Sequence, residues 1–111
     1  KGSSLRVENR VPGGDVNPYL AISAIVAGGL HGIEHELPLP APLSGNAYDS
    51  DVDHLPTTLR EAADLFEASE IARAAFGDDV VAHYLHQARV EVLAYDAAVT
   101  DWERIRGFER L

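Results

Sequence analysis

Arg6, Glu8 and Arg10 stand at alternate positions in the stretch RVENRVPGGDVNPYL, residues 6–20. On an extended segment, side chains two apart share a face, so the three project together while Val7, Asn9 and Val11 point the other way. An ionised Glu8 flanked by two cations could bind a hard metal such as magnesium. The planar guanidinium groups match phosphate or carboxylate oxygens in pairs. Together they describe a metal-phosphate site. The same spacing also fits an exposed strand face laced with weak ion pairs, and residue types alone leave both readings open.

A second motif is His31-Gly32-Ile33-Glu34-His35, which has the H-x-x-E-H pattern of a zinc peptidase helix. Such a site needs a third ligand, with His54, His83 or His86 as candidates. Gly28, Gly29 and Gly32 make a poor rigid platform for it. His83 and His86, three apart, read better as a partly solvated face. Asp49, Asp51 and Asp53 alternate like calcium ligands but lack the glycine turn and distal glutamate of such a loop.

The elements that must position these groups follow from local patterns. LRVENRV, residues 5–11, alternates with period two and predicts a strand, which Pro12-Gly13-Gly14 ends by turn chemistry. Asn17-Pro18 opens a helix expected over about 17–36. Its first half is apolar almost all round, which predicts burial, and its small residues suggest close approach of another backbone. Residues 38–57 hold four prolines and no periodicity, and read as a loop. Thr58 and Glu61 have capping-box spacing for a helix over about 58–76, which Ser69 restarts or continues and Gly77 stops. Asp78 or Asp79 caps a helix over about 79–98, and Thr100 with Glu103 marks a last one over about 100–108. Tyr19, Tyr84, Tyr95 and Trp102 are expected in core or interface.

Composition limits the functions available. The 111 residues suit one domain, and 18 acidic against 9 basic residues give a net charge of −9, which disfavours nucleic-acid and anionic-membrane surfaces. Cysteine is absent, which removes thiolate chemistry and fits a reducing compartment. No apolar run has membrane-spanning length and no signal-peptide pattern opens the chain, so a cytoplasmic location is expected. The chain contains no methionine, even at position 1, and begins close to a strand pattern, so it is expected to be a piece of something longer.

Residues RVENRVPGGDVNPYLAISAIVAGGLHGIEHEL resemble the C-terminal part of the catalytic domain of the glutamine synthetase family. The likeness runs on through GNAY in the proline-rich loop, LPTTLREA and VTDWERIRGFE, and so covers essentially the whole chain. It implies a mostly helical fragment of an α+β catalytic domain of the glutamine synthetase/guanido kinase type, with one N-terminal strand followed by three to four helices. It also implies ATP-dependent ligation, in which glutamate is activated as γ-glutamyl phosphate and attacked by ammonia or an amine, with Mg2+ or Mn2+. By position, Glu8 resembles a ligand of one divalent metal, Arg6 a contact to nucleotide phosphate, and Arg10 the arginine that binds substrate and neutralises the transferred group. Asn9 and the wording ENRVPGGDVNPY are more similar to branches that join glutamate to polyamines or other amines. The family's other metal-binding residues, its nucleotide pocket and its N-terminal domain have no counterpart here, so the resemblance implies that the chain alone is inactive. Its partners would be the rest of a parent chain and further copies in a homo-oligomer. A small helical interaction module and the zinc hydrolase are the competing readings.

Overall fold

The computed structural model describes every residue except Lys1, Ser3, Leu5, Ser50, Val52 and Leu111. Five α-helices account for most of it: α1 (Pro18–Glu34), α2 (Leu59–Ala68), α3 (Glu70–Phe76), α4 (Asp78–Ala97) and α5 (Asp101–Glu109). A single 3-10 turn, Ala47–Asp49, interrupts the proline-rich loop. The chain divides into two compact units, Lys1–Pro40 and Ala41–Leu111. No helix among the described residues is long and apolar enough to cross a membrane.

The N-terminal strand expected over 5–11 is not seen among the described residues. Leu5 lies outside the described residues, and 6–11 have no ladder partner. A strand is stable only when a neighbour takes its amides and carbonyls, and here local bonds take their place. The Val11 amide donates to the Asn9 side-chain oxygen at 2.9 Å, the kind of short closure by which asparagine competes with regular structure. The fold described is therefore all helix and loop.

In the first unit α1 begins as its residues dictate. Asn17 accepts hydrogen bonds from the amides of Tyr19 and Leu20, at 3.0 and 3.4 Å, and Pro18 sits where no donor is needed. The helix stops earlier than expected. The Leu37 amide reaches back to the Gly32 carbonyl and the Glu36 amide to that of Ile33, the crossed pair of bonds of a Schellman ending. Glu36 is the left-handed residue of that ending, with φ 49°, a position where glycine is usual. Although apolar almost all round, α1 buries none of its residues within this chain.

The second unit holds the core. Thr58 and Glu61 form a reciprocal capping box at the start of α2: the Glu61 amide donates to the Thr58 hydroxyl at 3.2 Å, and the Thr58 amide to the Glu61 carboxylate at 3.2 Å. The single helix expected over 58–76 is two, because Ser69 takes an extended conformation and caps α3 through its hydroxyl. Gly77, with φ 82°, both ends α3 and precedes α4, so neither Asp78 nor Asp79 is the cap. Both lie in the first turn of α4, where negative charge suits the helix dipole.

Ala63, Ala72, Val81 and Leu85 are buried, with Phe66, Phe76 and Ala88 packed around them. This brings α2 and α3 against α4, with Val81 and Leu85 each contributing about 1.5–3 kcal/mol. Two ion pairs bridge α2 and α4: Arg60 with Asp96 at 2.6 Å, and Glu67 with Arg89. Their order along the chain makes the two helices antiparallel. The aromatic residues expected inside are mostly outside. Tyr19, Tyr95 and Trp102 are 81%, 72% and 69% exposed, and Tyr84 is 37% exposed.

Candidate functional site

Of the three residues singled out at the amino end, the structure brings two together. Nε of Arg10 donates to Oε1 of Glu8 at 2.8 Å, closing an i, i+2 ion pair on an exposed loop. Arg6 turns elsewhere, its Nη1 lying 3.5 Å from the Ser4 carbonyl oxygen. The face shared by all three is lost with the strand that would have aligned them. What remains is a solvated pair of the kind worth ~0.2–1 kcal/mol. It is readily exchanged for another partner.

The turn behind this pair is tightly built. The Val16 amide bonds to the Gly13 carbonyl at 3.3 Å, and a β-carbon at Gly13 would stand 2.8 Å from Oδ1 of Asp15. From this turn the chain passes through Asn17 straight into α1. Arg6, Glu8 and Arg10 are thus carried on an irregular arm that precedes a well-capped helix.

The other motifs do not assemble into sites. The imidazoles of His31 and His35 stack at 4.0 Å between centroids, 29° apart. Nδ1 of His35 lies 3.0 Å from the His31 carbonyl oxygen, a hydrogen bond that needs the proton on that nitrogen. His35 is also just beyond the last turn of α1, where it serves as the C-cap rather than as a residue of the helix. Among the described residues no group of three or more His, Asp or Glu side chains is placed to hold a metal ion. His83 packs edge-on to Tyr84 instead. In the proline-rich loop Asp49 accepts from the Asn46 side-chain amide at 2.8 Å.

A feature that sequence reasoning missed lies between α2 and α4. A mainly apolar groove of about 250 Å³ is lined by Arg60, Ala63, Asp64, Arg89, Val92 and Leu93. Both arginines are already engaged, with Asp96 and Glu67, so the groove offers no free cation to an anion. The only signal for it in the sequence is the surplus of apolar positions on α4 beyond those its core uses.

Comparison with known proteins supplies what the geometry leaves open. The family model for the glutamine synthetase catalytic domain matches residues 1–106. The chain is 67% identical over 110 residues to the gamma-glutamylethanolamide synthetase of Streptomyces coelicolor, a match that covers 99% of this chain and 24% of that protein. It is 43% identical over 108 residues to a glutamate–isopropylamine ligase of a Pseudomonas species, covering 95% of this chain and 24% of the relative. A glutamine synthetase of Thermus thermophilus is 35% identical over 111 residues, covering 93% of this chain and 25% of the relative. The two relatives named for amines thus resemble it more than this one named for glutamine. The chain spans about a quarter of the length of the curated relatives it matches. With residues 1–106 matched by the catalytic-domain model, the chain belongs to the glutamine synthetase family.

Proposed function

We propose that these residues are the C-terminal portion of the catalytic domain of an ATP-dependent ligase that joins glutamate to an amine. The observation that carries this reading is the 67% identity, along 99% of the chain, to a gamma-glutamylethanolamide synthetase. A short primary amine of the ethanolamine type is the proposed acceptor. In the reaction class, a γ-carboxylate oxygen of glutamate takes the terminal phosphoryl group of ATP and ADP leaves. The amine nitrogen then attacks the acyl carbon, loses a proton and expels phosphate.

The residues present do not make a divalent-metal or nucleotide site on their own. Glu8 is a single carboxylate already paired with Arg10, and among the described residues no three ligands converge. In the complete enzyme Glu8 would supply one metal ligand and Arg6 a contact to nucleotide phosphate, with the other ligands coming from beyond these 111 residues. Arg10 would leave its weak pairing with Glu8 for substrate and for the charge that builds on the transferred group. Fixed cations facing such charge are the main resource of phosphoryl-transfer catalysis. The chain by itself is expected to be inactive.

The test is phosphate release by the complete enzyme with glutamate, ATP and magnesium against a panel of ethanolamine, isopropylamine, a polyamine and ammonia. Ethanolamine should give the highest kcat/KM. Release that is equal without any amine, or that needs no glutamate, would overturn the assignment.

A further inference from the structure

His31 and His35 lack the third ligand of a peptidase centre, yet they already stand side by side. Their rings stack at 4.0 Å between centroids, 29° apart. Imidazole nitrogens bind zinc at about 2.0–2.1 Å, so two of them on one ion stand roughly 3 Å apart, close to the separation of these rings. The backbone beneath them is fixed by its own bonds. The His31 carbonyl oxygen accepts from the His35 amide at 3.0 Å, and the Glu36 and Leu37 amides close the helix end onto Ile33 and Gly32. The same His31 carbonyl takes the Nδ1 proton of His35 at 3.0 Å, which leaves the lone pair of that ring on Nε2. A backbone carbonyl on the other ring nitrogen is the common second partner of a metal-binding histidine. Charge agrees with this. A helix C-terminus carries partial negative charge, Glu34 and Glu36 flank His35, and no Lys or Arg occurs between Arg10 and Arg60.

We infer that His31 and His35 form a two-imidazole chelate at the end of α1 for a borderline divalent transition ion, Cu2+, Ni2+ or Zn2+. Water completes the coordination, since among the described residues no third His, Asp or Glu joins the pair. Two protein ligands rather than three or four make the site exchangeable instead of structural or hydrolytic. Imidazole suits these ions, whereas Mg2+ demands oxygen ligands, so the inference does not depend on the ligase reading. The effect of binding is local. An ion held by both rings ties the last turn of α1 to its cap, and it steadies the ending in which Glu36 takes its left-handed conformation, φ 49°.

The experiment titrates the 111-residue chain with Cu2+, Ni2+, Zn2+ and Mg2+ in turn. Calorimetry gives affinity, circular dichroism gives helicity, and electron paramagnetic resonance counts the nitrogens bound to Cu2+. One equivalent of Cu2+ should bind through two imidazole nitrogens and raise helicity, about 10-fold or more tighter than Zn2+, while Mg2+ gives no response. His31→Gln and His35→Gln should each weaken Cu2+ binding by about 10-fold or more and abolish the gain in helicity, because each removes one of two ligands. Neither should change the helicity of the metal-free chain, whose cap is made by backbone bonds. A chain carrying both His83→Gln and His86→Gln should bind as the parent does. Undiminished affinity in either α1 variant, or a spectrum with fewer than two nitrogens, overturns the inference. So does binding lost with His83 and His86 instead, which assigns the ion to α4. Binding that adds no helicity also overturns it, as the mark of capture by unstructured histidines.

Discussion

Glu8 and Arg10 meet at 2.8 Å on an exposed arm, and the weakness of that contact makes it compatible with a role elsewhere. A guanidinium held by one solvated carboxylate loses little on moving to a more highly charged oxygen cluster. In the complete enzyme Arg10→Ala should lower kcat by about 100-fold, the typical loss when one preorganised donor is removed, while KM for ATP changes little. Steady-state kinetics checks this, and a rise in KM with unchanged kcat would move Arg10 from the transition state to simple binding. Glu8→Ala should shift the magnesium dependence to higher concentration, read from activity titrated with the metal. The pairing of Glu8 with Arg10 was legible from their spacing, because residues two apart meet in many extended conformations. The placement of Arg6 was not, since it depended on a strand whose partner no local pattern reveals.

Among the elements, helix starts were legible and helix ends less so. Thr58–Glu61 and Thr100–Glu103 cap as their spacing requires, the Thr100 amide lying 2.8 Å from the Glu103 carboxylate. Such bonds are wholly local. Glu61 accepts from the Thr57 amide and hydroxyl as well as from Thr58, with the Thr57 amide the largest influence, and these bonds hold its carboxyl below the usual glutamate value of 4.5. The sign follows directly. A depressed folded-state pKa contributes stability that is complete above the unfolded value and disappears as pH falls through the folded one. Helicity of the second unit should therefore decline below about pH 4.5, and Glu61→Gln should remove part of that pH dependence when followed by circular dichroism. The Schellman ending of α1 was not legible, because Glu36 rather than glycine occupies its left-handed position. Glu36→Gly should stabilise α1 by up to about 1 kcal/mol by relieving that conformation, seen as a gain in helicity. The expected strand failed for the opposite reason: its alternation was present, but ladder bonds come from elsewhere in space.

For the whole molecule, the four buried residues of the second unit make a small core. Leu85→Ala should cost about 2–3 kcal/mol there, a large share of what so small a unit holds. Urea unfolding followed by far-ultraviolet circular dichroism should lose its cooperative transition, and a variant that melts like the parent would show that the core lies elsewhere. Ala63, Val81 and Leu85 are buried, whereas Leu59 and Leu65 on α2 and Tyr95 on α4, apolar as well, are exposed. A hydrophobic pattern records every surface a helix is built to bury, without saying which are buried against its own chain. The surplus on α1 and along α4 is the part that local reading could not resolve.

The bridges between α2 and α4 carry a last consequence. Arg60 faces Asp96 at one end and Glu67 faces Arg89 at the other, so the signs are exchanged along the interface. Turning α4 end over end would set Arg60 against Arg89 and Glu67 against Asp96, two repulsions in place of two attractions. Charge thus favours a single polarity of the helical hairpin, by the small amount that exposed pairs contribute.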